Sequence, residues 1–524
     1  MQSIDALHRT AAGASERVFA ALARGEWAVA SSAALGAWGP LISFRPDVVA
    51  VVCEAAPAEV LDAHPEWIVL RAYMRVVHTR PDLRPALYID DAPSPSPTDP
   101  PLPRAMLTLS RAVAARTEGH HERATALAYE AEAWAREADA DDPTTAALLV
   151  PLLIQCAVTH EFSARPGPTA RLLQEAFRRA NETGNVRAAL DASGELGWLF
   201  SLTGDGTASD LWLAEHEALR AAAPTAVSDP LPAQLGNVIR RWDQLEFDAA
   251  QTLLAQADRR SAGEYALLLA GAEVLVGARR AADLGGALLS RFDSQVMSTV
   301  ESRRASGLNA YADIVVRCEV LALRGEASAA LRVFQGFDPQ VAPMVAARHA
   351  RAQLLVGANE AADATAQTSI EASIVWARAH TEATLVRAAV ALRRSQEGAA
   401  RELFGRALQA ARDHRSFMPL AALPLADLRA LAQLVPDDEH PAELATLLSG
   451  EVALPPSAQR FVVPTPSEQR LLYALAEDAD EQSIADALGL SRNTIRSQLH
   501  TLYRKFEVNS RGALRAAARR EGLL

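Results

Sequence analysis

A cluster of basic and amide side chains near the C-terminus has the chemistry needed to contact a nucleic acid. Between Ser491 and Lys505 the sequence carries four cations and no acidic residue. Helical spacing would place one set of polar side chains on a common outward face: Arg492, Asn493, Arg496, Ser497, His500, Arg504 and Lys505. Arginine and asparagine form paired hydrogen bonds with base edges, and arginine and lysine neutralise phosphates. The pattern favours DNA binding over the alternative of a helix face that is only solvated.

The residues around this cluster predict the helices that must position it. Thr465 and Glu468 have the spacing of a capping box, and Pro466 suits the first helical position. Gly489 fits the left-handed residue that ends a second helix. Ser491 fits the N-cap of a third helix, which would carry the basic cluster.

These signals together predict a helix-turn-helix arrangement. Three apolar sets would form the inward faces of its helices: Leu471, Leu472, Leu475, Ile484, Ala485, Leu488, Ile495, Leu499 and Leu502. Ser510 would cap a fourth helix that ends near Gly522. In such an arrangement one helix crosses the DNA backbone and the next enters the major groove.

Residues 465–524 resemble the LuxR-type (NarL/FixJ-like) DNA-binding domain without gaps. The resemblance implies that bases are contacted by Arg496, Ser497 and His500. It implies that phosphates are held by Thr494, Arg504, Lys505 and Ser510. It also implies a homodimer on promoter DNA that forms through the fourth helix, near Leu514 and Ala517.

Three positions depart from the usual pattern of that family. Asp478 replaces a glycine, Gln498 replaces a frequent histidine, and Glu507 replaces a glycine before a valine. Glu507 would place an anion near DNA and weaken a phosphate contact. None of the three departures removes a core position.

The charge of the chain is divided unevenly. The 524 residues have a net charge of −12, which by itself argues against binding nucleic acid. Residues 464–524 have nine Arg and Lys against eight Asp and Glu, a net charge of +1, so the remainder carries −13. A small basic face on an acidic body is compatible with DNA binding, because only the local charge meets the duplex.

Several classes of chemistry lack their residues. Lys505 is the only lysine, so a phosphate-binding loop, a Schiff-base lysine and a Ser-x-x-Lys nucleophile are not expected upstream. Cys156 and His160 are four residues apart, but without further ligands they predict a buried structural pair and no metal site. We therefore expect no enzyme activity and no cofactor. Tryptophans are scattered along the chain, and we expect each to pack rather than stack on a ligand.

The expected location is the cytoplasm, without a membrane segment. Three separated cysteines suit a reducing compartment, and the N-terminus lacks the pattern of a signal peptide. The most apolar stretch, residues 146–158, contains Pro151 and is too short to span a bilayer. It predicts a buried helix.

Residues 1–450 are rich in Ala, Leu, Arg and Glu, which predicts an all-α body. A blurred repeat places a small residue at a helix end, an alanine five positions later and another small or apolar residue twelve positions later. It occurs at Gly25, Gly119, Gly325 and Ser395. Small residues at these spacings allow two helices to approach closely, as in stacked helical repeats.

The repeats resemble degenerate tetratricopeptide (TPR) units. Residues 22–27, 60–67 and 382–418 further resemble the helical region of large ATP-regulated bacterial regulators that are similar to the maltose-operon activator. A nucleotide-binding domain precedes this region in those regulators, and this sequence lacks one. We therefore expect a different means of control.

Two segments predict breaks in the helical array. Residues 92–103 form a proline-rich loop, since proline lacks the amide that a helix requires. Residues 451–463, with two prolines near the centre, form a linker between the body (1–450) and the C-terminal domain (464–524).

The sequence thus predicts an all-α protein in which a TPR-like superhelix precedes a four-helix LuxR-type domain. The expected function is a sequence-specific transcription regulator whose body senses a small molecule or protein partner. The alternative is a repeat scaffold whose helix-turn-helix does not bind DNA.

Overall fold

The computed structural model describes residues 3–64, 66–79, 94–96, 98–138, 142–226, 231–257, 259, 262–280, 286–298, 307–335, 342–372, 375–457, 464–476, 481–506, 508–520 and 523–524. Every long regular element within these ranges is an α-helix, and three short 3₁₀ turns lie between them. The predicted all-α class is confirmed.

The first ten helices are α1 (Ile4–Ala23), α2 (Trp27–Leu35), α3 (Trp38–Phe44), α4 (Pro46–Glu54), α5 (Ala58–Ala63), α6 (Glu66–Thr79), α7 (Pro101–Thr117), α8 (His121–Glu137), α9 (Pro143–Phe162) and α10 (Pro166–Thr183). The next eight are α11 (Val186–Thr203), α12 (Gly206–Ala222), α13 (Leu231–Asp243), α14 (Phe247–Gln256), α15 (Ala266–Arg280), α16 (Gly286–Ser298), α17 (Gly307–Leu323) and α18 (Ala327–Arg332).

The body continues with α19 (Pro343–Leu355), α20 (Asn359–Ala372), α21 (Ala377–Arg393), α22 (Glu397–Asp413), α23 (Leu425–Ala432) and α24 (Ala442–Ser449). The C-terminal part contains α25 (Pro466–Ala476), α26 (Glu481–Leu488), α27 (Arg492–Lys505) and α28 (Arg511–Arg520). Consecutive helices of the body pack as pairs, as α7 does with α8, α11 with α12 and α21 with α22. This pairing is the TPR-like arrangement predicted from the sequence.

The turns within the helix pairs explain the repeat pattern. Gly25, Gly119, Gly325 and Ser395 all have positive φ values between 57° and 85°. The alanines five and twelve positions after these turns are buried: Ala30, Ala37, Ala124, Ala131, Ala330, Ala400 and Ala407. The residue twelve positions after Gly325 lies outside the described ranges. A left-handed residue reverses the chain, and the small side chains let the second helix lie close to the first. The predicted spacing is confirmed, although Ala37 lies just beyond α2.

The repeat array is curved, so that the region after α22 contacts helices α12 and α13 in its middle. The N–H of Gly206, at the start of α12, donates to the carbonyl of His414 after α22 (2.8 Å). The N–H of Phe417 donates to the carbonyl of Asp243 at the end of α13 (3.0 Å). Gly204 has no room for a Cβ atom, which would lie 2.5 Å from the Cβ of Arg378. Helices α11 and α21 are therefore neighbours although almost two hundred residues separate them.

A buried ionic network crosses the later repeats. Glu319 of α17 pairs with Arg279 of α15 and with Arg351 of α19, and all three side chains are at most 1% exposed. Burial alone would raise the pKa of Glu319, but the charges of Arg279 and Arg351 outweigh it and hold that pKa well below its usual range. Burial lowers the pKa of Arg279 to about 10, so its guanidinium stays protonated at neutral pH.

The predicted proline-rich loop ends earlier than expected. Residues 101–103 belong to the first turn of α7, so the assignment of residues 92–103 to a loop is wrong for these three. Prolines are tolerated in a first helical turn because its N–H groups have no intrahelical partner. Residues 92, 93 and 97 lie outside the described ranges.

The start of the predicted linker lies against the body. Residues 451–457 have no helix, as predicted, but Val452 is buried. The N–H of Ala453 donates to the carbonyl of Arg279 (3.2 Å), and the guanidinium of Arg279 donates back to the carbonyl of Ala453 (2.5 Å). Residues 458–463 lie outside the described ranges.

The apolar segment around Pro151 is a helix of the core. Residues 145–162 of α9 are long and apolar enough to cross a membrane by composition, yet 83% of this window is buried inside the protein. Cys156 and His160 are fully buried here, and His160 Nε2 lies 2.7 Å from Glu132 Oε1. The predicted burial of both residues is confirmed, but His160 pairs with Glu132, and Cys156 donates to the carbonyl of Ala128 (3.9 Å). The described residues hold no cluster of three or more metal-binding side chains.

Candidate nucleic-acid interface

The C-terminal helices pack around a core of their own. The predicted inward residues are buried, with Leu488 half-buried: Leu471, Leu472, Leu475, Ile484, Ala485, Ile495, Leu499 and Leu502. Phe506, Leu514, Ala518 and Leu523 complete this core. Gln469 of α25 donates to the carbonyl of Leu523 (3.0 Å), which joins the first helix to the chain end.

The start of α25 has the predicted capping box. The N–H of Thr465 donates to Glu468 Oε2 (2.7 Å), and the N–H of Glu468 donates to Thr465 Oγ1 (3.3 Å). Two N–H groups that the helix cannot satisfy internally are thereby paired. The cap fixes where α25 begins and brings Glu468 close to the end of α27.

The turn between α26 and α27 follows the predicted geometry. Gly489 has a φ of +65°, which ends α26 in a left-handed conformation that glycine adopts at low cost. Ser491 Oγ then accepts from the N–H of Thr494 (3.1 Å) and caps α27. Because α26 and α27 pack together across this turn, the direction of α27 is set by the core and by the cap.

The outward face of α27 carries the side chains that the sequence singled out. The exposed ones are Arg492, Asn493, Arg496, Ser497, His500, Arg504 and Lys505. The side chains of Arg492 and Arg496 are 59% and 63% exposed. Fourteen helical residues extend about 21 Å, long enough to follow a major groove. The polar face is therefore not covered by the described parts of the body.

Thr494 and Ser510 have local roles as well. Thr494 is half-buried, and its Oγ1 lies 2.8 Å from Ser491 Oγ within the cap. Ser510 Oγ accepts from the N–H of Ala513 (3.2 Å) and caps α28, as predicted. Both hydroxyls therefore stabilise helix starts at positions that the resemblance assigns to phosphate contact.

One carboxylate that the sequence reasoning missed faces the basic cluster. Glu481, the first residue of α26, accepts from Arg492 Nε (3.4 Å) and from an Arg496 terminal nitrogen (3.2 Å). Residues 491–505 contain no acid, but the two arginines have an acidic neighbour on the preceding helix. Sequence alone gave no signal for this contact, because it depends on how α26 and α27 cross.

Lys505 has an acidic partner too. Its Nζ lies 2.5 Å from Glu468 Oε2, where the lysine side chain is 33% exposed and the glutamate 8%. Burial would raise the pKa of Glu468, but hydrogen bonds from Lys505 and Thr465 outweigh it and hold that pKa below its usual value. Glu468 therefore links α25 to α27 through an ion pair with Lys505, the only lysine in the sequence.

The predicted dimer positions do not lie on the surface. Leu514 and Ala517 are buried in the C-terminal core, so a dimer contact through α28 would have to use other residues of this helix, and the dimer itself stays a prediction. The exposed part of α28 includes Gly512 and Ala516 instead. Among the departures from the family pattern, Gln498 is half-buried, whereas Asp478 and Glu507 lie outside the described residues.

The comparison with known families agrees with this geometry. Residues 465–518 match the family described as bacterial regulatory proteins, luxR family. The chain therefore has a LuxR-type helix-turn-helix domain at its C-terminal end, after an all-helical body. No curated protein matches the chain.

Proposed function

We propose that the protein is a sequence-specific transcription regulator in which α27 reads promoter DNA. The observation that carries the proposal is the exposed face of α27, held by capped helices within a LuxR-type domain. Members of this family are typically not enzymes. The net charge of −12 suits this function if DNA meets only the basic face of the C-terminal domain.

The polar side chains of the C-terminal domain would have two different roles in DNA recognition. Arg496, Ser497 and His500 would reach base edges from the middle of the helix. Flanking residues would position the domain on the backbone: Arg492, Asn493, Thr494, Arg504, Lys505 and Ser510. Phosphate contacts supply affinity without sequence information, whereas base contacts supply the preference.

The body would be the sensing or partner-binding part. We propose a division into body (1–450), linker (451–463) and DNA-binding domain (464–524), and a homodimer on DNA. We also propose, on the resemblance of residues 22–27, 60–67 and 382–418, that the body is related to the helical region of maltose-activator-like regulators. Stacked helix pairs offer a concave surface to a small molecule or peptide.

A competing proposal is a repeat scaffold whose helix-turn-helix binds no DNA. Recovery of genomic fragments bound to the full chain, followed by gel shifts at two salt concentrations, separates the two. A regulator enriches a shared sequence and loses affinity steeply with salt, because bound phosphates release counterions. Equal recovery of all fragments, with affinity independent of salt, would support the scaffold.

A further inference from the structure

The centre of the curled body contains an apolar cavity. Its walls come from α11, α13, α15, α17, α19 and α21, which are the first helices of successive pairs. The cavity volume is about 90 Å³. One water molecule needs roughly 10–15 Å³ on this measure, so the cavity has room for several waters or for a small organic group.

Three tryptophans give the cavity its chemical character. Trp198, Trp242 and Trp376 line it and are at most 4% exposed. The indole N–H of Trp198 donates to Glu161 (2.6 Å), and that of Trp242 donates to the carbonyl of Leu275 (3.3 Å). With these N–H groups already bonded, the two rings offer their carbon faces to an occupant, which favours apolar or aromatic contact.

The charged groups in the wall are already paired. Arg348 donates to Glu382 (2.9 Å), and Arg378 donates to Asp243 (2.8 Å) while lying 5.2 Å from the centre of the Trp242 ring. An ion entering this space would lose its hydration and meet guanidinium and carboxylate groups that already have opposite charges beside them. Burying such an ion is costly, so the wall selects for neutral molecules.

The cavity also has a way in, and bonded groups join its wall to the segment that follows the body. Leu202, Ala312 and Met344 are half-buried and form part of its mouth. Arg348 in its wall contacts Glu319 (3.3 Å), and Glu319 pairs with Arg279. Arg279 in turn holds Ala453, in the segment that leads towards the DNA-binding domain. Displacement of the wall by an occupant would therefore reach this segment through bonded groups.

We infer that this cavity binds a neutral, mainly apolar small molecule of aromatic or aliphatic character. The inference rests on the proposed sensing role of the body, for which this molecule would be the signal. An apolar space of this kind holds water poorly and gains free energy when a ligand of matching shape fills it.

The test uses the full chain and a neutral solvatochromic dye, 6-propionyl-2-(dimethylamino)naphthalene. We expect saturable binding, blue-shifted emission and energy transfer from the tryptophans. Ala312→Leu fills the mouth and should weaken dye binding about tenfold or more, a change of about 1.4 kcal/mol. Ala310→Leu is the control, since Ala310 is also half-buried on α17 but does not line the cavity.

Thermal unfolding of both variants verifies that they fold. If Ala312→Leu does not fold, Ala379→Leu replaces it as the variant that fills the cavity, from the side of α21. Non-saturable dye binding, or equal binding by the two α17 variants, would overturn the inference. Equal affinity for the anionic dye 8-anilinonaphthalene-1-sulfonate at the same site would overturn the neutral ligand class. Dye binding by a chain that fails to bind DNA would support the cavity and overturn only the proposed function.

Discussion

Glu481 and Arg496 are in contact across the turn of the helix-turn-helix, with 3.2 Å between the carboxylate and guanidinium. The same carboxylate oxygen accepts from Arg492. In the proposed DNA complex both arginines would face the duplex, so a phosphate or base would compete with Glu481 for them. The unbound interface is thus partly neutralised by an acid that lies outside the basic stretch of sequence.

Replacing Glu481 by glutamine should therefore tighten binding to every DNA sequence. Exposed ion pairs contribute about 0.2–1 kcal/mol, so the expected gain is about 1.5- to 5-fold at low salt. Fluorescence anisotropy with specific and random duplexes measures it. Asp486→Asn is the control, because Asp486 is an exposed acid of α26 whose carboxylate bonds to Gln482. An equal gain in both variants would mean that only net charge matters.

Replacing Arg496 by alanine should reduce sequence preference. A lost bidentate base contact costs about 1–3 kcal/mol at the specific site and much less on random DNA. Competition binding with the two kinds of duplex gives the ratio. Arg470→Ala removes an equal charge from the exposed side of α25 and should leave that ratio unchanged. If affinity for both duplexes fell equally in Arg496→Ala, this arginine would contact phosphate.

Local signals were enough to predict the helices and the candidate interface. The caps at Thr465 and Ser491 and the left-handed turn at Gly489 depend on short-range hydrogen bonds and backbone sterics, which residue types and spacing reveal. The repeat turns at Gly25 and Gly119 follow from the same rules. The distribution of charged residues along the sequence also distinguished the basic C-terminal face from the acidic body.

Contacts between residues that are far apart in the sequence could not be predicted from these local signals. The pairing of Glu481 with Arg496 depends on a helix crossing, and the meeting of Gly204 with Arg378 depends on the curvature of the whole array. The cavity tryptophans were expected only to pack, because nothing in their spacing shows that three of them surround one space. The burial of Leu514 was missed for a related reason, since sequence did not show which face of α28 the core would cover.

Replacing Lys505 by glutamine tests whether this lysine serves DNA or only the fold. We expect the slope of log affinity against log salt to decrease by about one phosphate equivalent. The matched control is Glu468→Gln, which removes the same ion pair but keeps the cation and still allows a capping box. This control should retain the wild-type slope. Similar losses of affinity in both variants would assign Lys505 to the folding of the domain.

Replacing Glu319 by glutamine should destabilise the body by about 3–5 kcal/mol, because Arg279 and Arg351 would remain buried with a carboxylate partner removed. Urea denaturation followed by tryptophan fluorescence reports on the body, since all eight tryptophans precede residue 377. Glu175→Gln breaks exposed pairs with Arg178 and should cost less than about 1 kcal/mol. Equal costs in the two variants would contradict the importance of the buried network.

We expect His414 to make the closure of the repeat array sensitive to pH. Its Nδ1 lies 3.5 Å from Asp205 Oδ1, next to the bond between Gly206 and the His414 carbonyl. The hydrogen bond with Asp205 raises the pKa of His414 and lowers the pKa of Asp205. A raised histidine pKa contributes stability that is complete below the unfolded pKa of about 6.5 and is lost as pH rises through the folded value.

The stability that His414 adds relative to His414→Gln should therefore be greatest in mildly acidic solution and vanish in alkaline solution. Both side chains are about one-third exposed, so we expect a few tenths to about 1 kcal/mol. Urea midpoints of the two proteins between about pH 5.5 and 8.5 measure the difference. His120→Gln is the control, because His120 and Glu118 form an exposed pair away from the closure. A difference between wild type and His414→Gln that stays constant over this range would show that the imidazolium does not hold the array closed.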